Sequence, residues 1–69
     1  MVEVFKTNVY EVVESEKITR SLLEYFPYCK INFDLEDCDK ILRVEGKTID
    51  IGKIIEKLQV QGYLCEILI

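Results

Sequence analysis

Two glutamates three residues apart, Glu11 and Glu14, could hold a cation together in this 69-residue chain. Carboxylate oxygens are hard ligands that suit Mg²⁺, Ca²⁺ or Mn²⁺, and two of them without further oxygens bind such ions weakly. Negative charge is also stabilised where a helix begins, and a helix is predicted to begin at about Glu14. The helix dipole alone therefore accounts for both glutamates, and metal binding is the alternative.

The three cysteines, Cys29, Cys38 and Cys65, are odd in number and widely spaced, which predicts free thiols. The topology predicted below places Cys38 and Cys65 at the same end of the sheet as the two glutamates, and Cys29 at the opposite end. Cys38 and Cys65 would then lie two or three strand spacings of about 4.8 Å apart, too far for a disulfide without movement. We expect Cys65 in the core and Cys38 exposed, and a shared metal site remains the alternative. The weak metal candidates are Glu11, Glu14, Cys38 and Cys65.

Catalytic chemistry has little support in this chain. It contains no histidine, no Ser or Cys beside a plausible base, and no Gly-rich phosphate loop. We therefore expect no enzyme activity and no cofactor. The same end of the predicted sheet gathers carboxylates that form either a solvated loop end or a docking surface for a basic partner: Glu11, Glu14, Glu36, Asp37 and Asp39.

The charge and hydropathy of the chain exclude several kinds of partner. A net charge of −4 with scattered basic residues disfavours nucleic-acid binding, which needs a basic patch. No apolar run approaches the roughly 20 residues that cross a bilayer, and no basic segment precedes an apolar one. We therefore expect no membrane span, no secretory signal and a cytoplasmic location.

The first part of the chain predicts a strand and an amphipathic helix. Residues 2–7 are mostly β-branched or aromatic, which indicates strand one. The helix is predicted over about residues 14–26, because apolar side chains recur there on one helical face: Ile18, Leu22, Tyr25 and Phe26.

Several residues carry the signals that begin and end this first helix. Ser15 is the expected N-cap, and Asn8 with Glu11 forms an alternative capping box that would begin the helix earlier. Pro27 is expected to end it, because proline cannot continue the hydrogen-bond ladder and disfavours helix in the residue before it.

The middle of the chain predicts a β-hairpin. Apolar and polar residues alternate over residues 29–35, which indicates strand two with one dry and one wet face. The polar residues 36–39 predict the turn, and residues 40–45 return as strand three.

The second helix and the last strand complete the pattern. Asp50 is the expected N-cap, and Ile49 before it can pack on Ile54 as a hydrophobic staple. Gly62 suits the left-handed residue that closes a helix, and residues 63–69 then predict strand four. One apolar stripe marks the helix: Ile51, Ile54, Ile55 and Leu58.

The element order β-α-β-β-α-β predicts a ferredoxin-like α+β sandwich as a single domain over residues 1–69. Two right-handed crossings around a central hairpin give a four-stranded antiparallel sheet, with strand order 4-1-3-2 and both helices on one face. The other side of the sheet, which we call the open face, then has no helix to cover it.

Three segments carry a family resemblance: the alternating strand Ile31–Leu35, Gly62-Tyr63 followed by Glu66 and Ile67, and the helix positions Ile18 and Leu22 counted from Val9. In these the chain resembles the heavy-metal-associated domain, the fold of small copper chaperones and of metal-ATPase N-terminal modules. Where that family has a Met-x-Cys-x-x-Cys loop, this chain has Val9-x-Glu11-x-x-Glu14. The resemblance thus implies the family's fold, with Val9 as the buried loop residue. It also implies loss of the paired thiolates that bind Cu(I) or Zn(II).

Three functions follow as hypotheses. The first is a protein-interaction module that has lost soft-metal binding and works through a protein partner or as a homodimer. The alternatives are a divergent heavy-metal-binding or metal-delivery protein and a small-ligand-binding regulatory domain using the open face. An exposed apolar patch on that face would mark an interface, and its expected members are Val2, Val4, Ile41 and Leu68. On strand four, either Leu64 and Leu68 or the set Cys65, Ile67 and Ile69 must face outward.

Overall fold

The computed structural model describes residues 1–68 and has the six elements in the predicted order. The four strands form one antiparallel sheet in the order β2-β3-β1-β4, which confirms the predicted ferredoxin-like α+β fold. Ile69, the last residue of the predicted fourth strand, lies outside the described residues. The elements are β1 (Val2–Thr7), α1 (Val12–Tyr25), β2 (Lys30–Asp34), β3 (Ile41–Glu45), α2 (Ile51–Val60) and β4 (Cys65–Ile67).

The strand register determines which side chains meet the helices. Phe5 of β1 pairs with Leu42 of β3 and with Ile67 of β4, and Phe33 of β2 also pairs with Leu42. Directly paired residues share a face of the sheet, so this set faces α1 and α2. The core between sheet and helices contains fully buried side chains that include Phe5, Ile18, Leu22, Leu42, Ile54 and Leu58.

Helix α1 begins two residues earlier than predicted, at Val12, with Glu11 as an extended N-cap whose side chain makes no capping hydrogen bond. The prediction of Ser15 as the cap is wrong, because its amide already donates to the Glu11 carbonyl within the helix. Its hydroxyl instead donates to the Val12 carbonyl over 2.7 Å. The alternative capping box is also wrong, since the Asn8 side chain accepts a hydrogen bond from the Leu64 amide at 2.9 Å.

The end of α1 agrees with the prediction from Pro27, because the helix ends at Tyr25. Of the predicted apolar face, Ile18, Leu22 and Phe26 are buried. Tyr25 is 55% exposed, so its predicted place in the core is wrong. The Lys57 ammonium lies 3.2 Å from the centroid of its ring, and a hydrogen bond and the positive charge of Lys57 lower the pKa of Tyr25. Tyr25 thus joins the two helices at their outer surface.

From the hairpin turn onward, local hydrogen bonds and backbone conformation determine where several elements begin and end. The Asp50 carboxylate accepts a hydrogen bond from the Lys53 amide at 3.1 Å, which confirms the predicted cap of α2. Gly62 has a φ of +92°, which confirms its left-handed conformation. The predicted start of strand three at Lys40 is wrong, because its φ of +47° keeps it in the hairpin turn. There its amide donates to the Asp37 carbonyl and its ammonium to the Leu35 carbonyl.

Candidate functional site

The chain segments that follow β1, join β2 to β3 and precede β4 meet at one end of the sheet. Lys6 pairs with Ile41 at the start of β3 and with Glu66 in β4, and Thr7 pairs with Cys65. We call this region the loop end and define it as residues 8–13, 35–40 and 60–64. The predicted gathering of these segments is confirmed.

Thr7 and Val9 fix the first loop of this end to its neighbours. The Thr7 hydroxyl donates to the Lys40 carbonyl over 2.6 Å and accepts from the Val9 amide at 3.2 Å. The Thr7 amide donates to the Asp39 carbonyl at 3.1 Å. Val9 is fully buried, as predicted. The loop is therefore held from both sides, with its one inward side chain in the core.

Glu11 and Glu14, although similar in sequence, have different environments. Glu11 is exposed, whereas the half-buried Glu14 carboxylate accepts a hydrogen bond from the Tyr63 hydroxyl. This hydrogen bond is the main reason that the pKa of Tyr63 rises to about 12, and burial and the negative charges of Glu14 and Glu11 add to it. Glu14 thus joins the start of α1 to the segment before β4.

The three cysteines lie where the predicted topology puts them. Cys65 is buried in the core on β4, and burial, with a smaller contribution from the charge of Glu66, raises its thiol pKa to about 11. Cys38 is exposed in the hairpin turn. Cys29 is buried at the opposite end of the sheet, where a Cβ placed on Gly46 would lie 2.8 Å from its sulfur. The three thiols, all within the described residues, are free.

One group of possible metal ligands occurs within residues 1–68. Asp37, Cys38 and Asp39 bring one ligand atom each within 4.8 Å of one another in the hairpin turn. Asp37 also accepts a hydrogen bond from the Asp39 amide at 2.8 Å, and Asp39 lies 3.7 Å from the Lys6 ammonium. Of the four predicted metal candidates, only Cys38 belongs to this group, which does not include Glu11, Glu14 or Cys65. The two aspartates were predicted only as part of an acidic surface.

The loop end carries a negative surface. Glu11, Glu36 and Asp37 are exposed there. Two basic side chains lie nearby: Lys6 is beside Asp39, and the half-buried Lys40 donates to the Leu35 carbonyl. The carboxylates at this end outnumber them.

The loop end also exposes apolar side chains, and of these the sequence pattern identified only Leu64 as a possible outward-facing residue. Tyr10, Val12 and Val13 are 71%, 63% and 61% exposed at the start of α1, and Val60 and Leu64 are 79% and 70% exposed around the end of α2. The available signal was the pair Val12-Val13, which precedes the apolar stripe of α1 without belonging to it. A group of exposed apolar side chains at one end of a domain is a candidate contact site.

The open face of the sheet is mainly charged. Cross-strand pairing places three basic and three acidic residues on it: Lys6, Lys30, Arg43, Asp34, Glu45 and Glu66. Of its predicted apolar members, Val2 and Leu68 are exposed and Val4 is half-buried. The expected exposure of Ile41 is wrong: it is only 8% exposed, in a central strand between its cross-strand partners Lys6 and Asp34. On either side of β4, Leu64 and Leu68 face outward, because Cys65 and Ile67 pair with the inward residues Thr7 and Phe5.

A shallow depression of about 190 Å³ lies on the open face beside Ile41 and Arg43. Sites for small molecules usually have volumes of about 300–1,000 Å³, so this depression alone gives little support to a small-ligand site. Within residues 1–68, no helix combines the length and apolar character needed to cross a membrane.

The topology defines the class of fold as ferredoxin-like α+β. Compared with known proteins, the chain matches no family model, no curated protein and no solved structure. The resemblance to the heavy-metal-associated domain therefore stays a prediction from the sequence.

Proposed function

We propose that this protein is a non-catalytic interaction domain that docks a protein partner at the loop end. The observation that carries the proposal is the group of apolar side chains left exposed there, each between 61% and 79% accessible: Tyr10, Val12, Val13, Val60 and Leu64. Burying apolar surface yields roughly 25 cal/mol per Å², so a partner that covers this group gains affinity from the contact.

The charges around this apolar group favour a basic partner. Glu11, Glu36 and Asp37 are exposed at the same end, and the net charge of the chain is −4. Opposite charges on a partner would accelerate encounter and fix its orientation, while the apolar centre would supply affinity. Protein interfaces usually combine apolar side chains with polar ones, and the loop end exposes both kinds.

The loop end is also well ordered for docking. The Asn8 side chain accepts from the Leu64 amide, and the Tyr63 hydroxyl donates to Glu14. Together with the bonds of Thr7, these contacts hold the three segments of the loop end against one another. A surface that is already ordered loses less conformational entropy on binding.

The environments of the candidate ligands support a loss of soft-metal binding. Glu14 is engaged by Tyr63, and Cys65 is buried with a raised pKa, so neither is free to act as a ligand. We expect the reduced protein to bind Cu(I) and Zn(II) no more tightly than about micromolar when titrated beside a competing chelator. Sub-micromolar binding that disappears in Cys38→Ser or Glu11→Gln would sink the proposal.

A second candidate function is metal binding in the hairpin turn, which the grouping of Asp37, Cys38 and Asp39 within 4.8 Å favours. Two carboxylates suit a hard cation such as Mn²⁺, but three ligands from an exposed turn predict weak binding. Titration with Mn²⁺, with Asp37→Asn as the binding-deficient variant and Glu36→Gln as the matched control, separates this function from the first.

We also propose a cytoplasmic location, which the three free thiols support.

A further inference from the structure

The outer edge of β2 is the feature that the proposed docking site does not use. β2 lies at the margin of the sheet, pairs with β3 on one side and meets no strand among residues 1–68 on the other. An unpaired strand edge presents backbone groups that can add another strand. A groove of about 440 Å³ runs between this edge and α1, and its lining includes Ser15, Thr19, Leu23, Ile31 and Phe33.

The sequence of β2 is complementary to itself when it is read antiparallel. With Asn32 at the centre, Lys30 of one copy lies opposite Asp34 of the other, and Ile31 lies opposite Phe33. We propose that a second copy of this chain pairs with the free edge of β2, antiparallel and about a two-fold axis at Asn32, so that the two sheets become one. Opposite charges and aromatic–β-branched pairs directly across two strands are both favourable.

The charged pairs and the apolar pairs would form on opposite faces of the sheet. Lys30 and Asp34 are exposed on the open face, so their intermolecular pairs would form on the solvent side. Ile31 and Phe33 face the helix side, where Phe33 is half-buried and Leu23 of α1 is 37% exposed beside the groove. The second copy would cover these apolar side chains and close the groove.

The balance of charges at the edge of β2 favours a second copy of this chain as the partner. Two copies with a net charge of −4 each repel at long range. The contact surface itself is balanced, because Lys30 offsets Asp34 on the strand and Arg20 offsets Glu16 in the groove. The acidic loop end offers no such balance, so self-association there would bring like charges together.

The proposed register fixes one distance across the interface. Residues directly opposite in an antiparallel pair have Cα atoms about 5.5 Å apart if hydrogen-bonded and about 4.5 Å apart if not. A two-fold axis can pass through either kind of pair, and both distances lie within the range for a disulfide. Asn32 is therefore the residue whose thiol replacement would cross-link the two copies.

A cross-linking experiment tests the register. Asn32→Cys is made in a Cys38→Ser background, with Arg43→Cys in the same background as the matched control. Arg43 is exposed on the same face and pairs with Asn32 within the chain, but it lies one strand further from the axis. Under mild oxidation we expect a covalent dimer from the first variant and monomer from the second. Monomer from both, or equal dimer from both, overturns the proposal.

Charge exchange tests the same contact without a covalent bond. Sedimentation equilibrium should show a dimer of the unmodified chain that weakens about tenfold or more in Lys30→Asp and in Asp34→Lys, since each places two like-charge pairs across the axis. The double variant should recover the dimer. Lys17→Asp on the exposed side of α1 makes the same change in charge as Lys30→Asp and should leave the dimer unchanged.

Two results of the sedimentation experiment would contradict the proposal. One is a strict monomer of the unmodified chain at about 1 mM, a concentration at which even weak self-association is visible. The other is a dimer whose dissociation constant is unchanged by the single charge substitutions. Self-association would then use another surface, such as the open face. Circular dichroism shows whether each variant is folded. Of the two single changes, Asp34→Lys should disturb the fold less, because Asp34 pairs with the uncharged Ile41 within its own chain.

Discussion

Glu11 and Glu14 have different environments because Glu14 has a hydrogen-bond partner far away in sequence. Their spacing and their position before a helix predict two equivalent solvated carboxylates. The structure leaves Glu11 exposed and gives Glu14 a hydrogen bond from Tyr63, 49 residues further along the chain. The local sequence pattern singled out both glutamates. A single sequence gives no signal for a hydrogen bond between residues as far apart as Glu14 and Tyr63.

The Tyr63–Glu14 contact predicts a specific pH dependence. The pKa of Tyr63 is raised to about 12, above the ordinary tyrosine value of about 10. The protonated phenol therefore stabilises the fold fully below about pH 10, and this contribution is lost as pH rises through about 12.

Phenolate absorbance measures this titration directly. In Glu14→Gln the pKa of Tyr63 should fall from about 12 towards 10, because the accepting charge is gone. Tyr63→Phe should remove the high-pH component altogether. An identical titration curve for Glu14→Gln and the unmodified chain would contradict the contact.

The three thiols should differ sharply in reactivity. Cys38 is exposed, whereas Cys29 and Cys65 are buried and burial raises the pKa of Cys65 to about 11. At pH 8 a thiol reagent should therefore modify one cysteine of the native chain at least about a hundredfold faster than the other two. Cys38→Ser should abolish the fast phase, and denaturant should make all remaining thiols react. Two fast thiols in the native chain would contradict this placement.

At the scale of elements, the sequence predicts best where local chemistry dominates. Asp50 caps α2 and Gly62 closes it, as their residue types predict, because the interactions involved span only a few residues. The start of α1 is different. It has no side-chain cap, and its first turn lies ahead of its apolar stripe, where Glu14 accepts a hydrogen bond from Tyr63. That contact depends on the folded chain, and the local pattern placed the start too late.

Two glycines at the ends of α2 predict opposite effects on stability. Gly62→Ala should reduce the free energy of unfolding by about 1 kcal/mol, because a φ of +92° is unfavourable for a residue with a Cβ. Within residues 1–68, no atom beyond Gly62 and its two chain neighbours lies within 4 Å of the position that the Cβ would take, so the expected effect is one of backbone strain.

Gly52→Ala is the matched control within α2. Its nearest contact would be an ordinary one, 3.8 Å from the Asp50 carboxylate, and alanine favours the helix by about 0.5 kcal/mol or more. Urea denaturation of both variants measures the difference. Equal effects of the two substitutions would show that Gly62 does not need its left-handed conformation.

At the scale of the whole molecule, the topology was predictable and the surface was not. Alternation and helical periodicity indicate which residues enter the core, and the β-α-β-β-α-β order then brings Glu11, Cys38 and Cys65 to one end. The same patterns do not indicate where apolar side chains remain outside. Tyr10, Val13 and other members of the exposed group became visible only when the three segments were placed together.

The most direct test of docking at the loop end compares two tyrosines of similar exposure at opposite ends of the molecule. Tyr10 is 71% exposed at the loop end, and Tyr28 is 65% exposed beside Met1 and Lys47 at the other end. Each is replaced in turn by a photo-cross-linking phenylalanine analogue in the cells that produce the protein. We predict a discrete protein adduct from position 10 and none from position 28. The adduct should be lost when Val12 and Val13 are both changed to Ser. No adduct from position 10, or the same adduct from both positions, would contradict docking at the loop end.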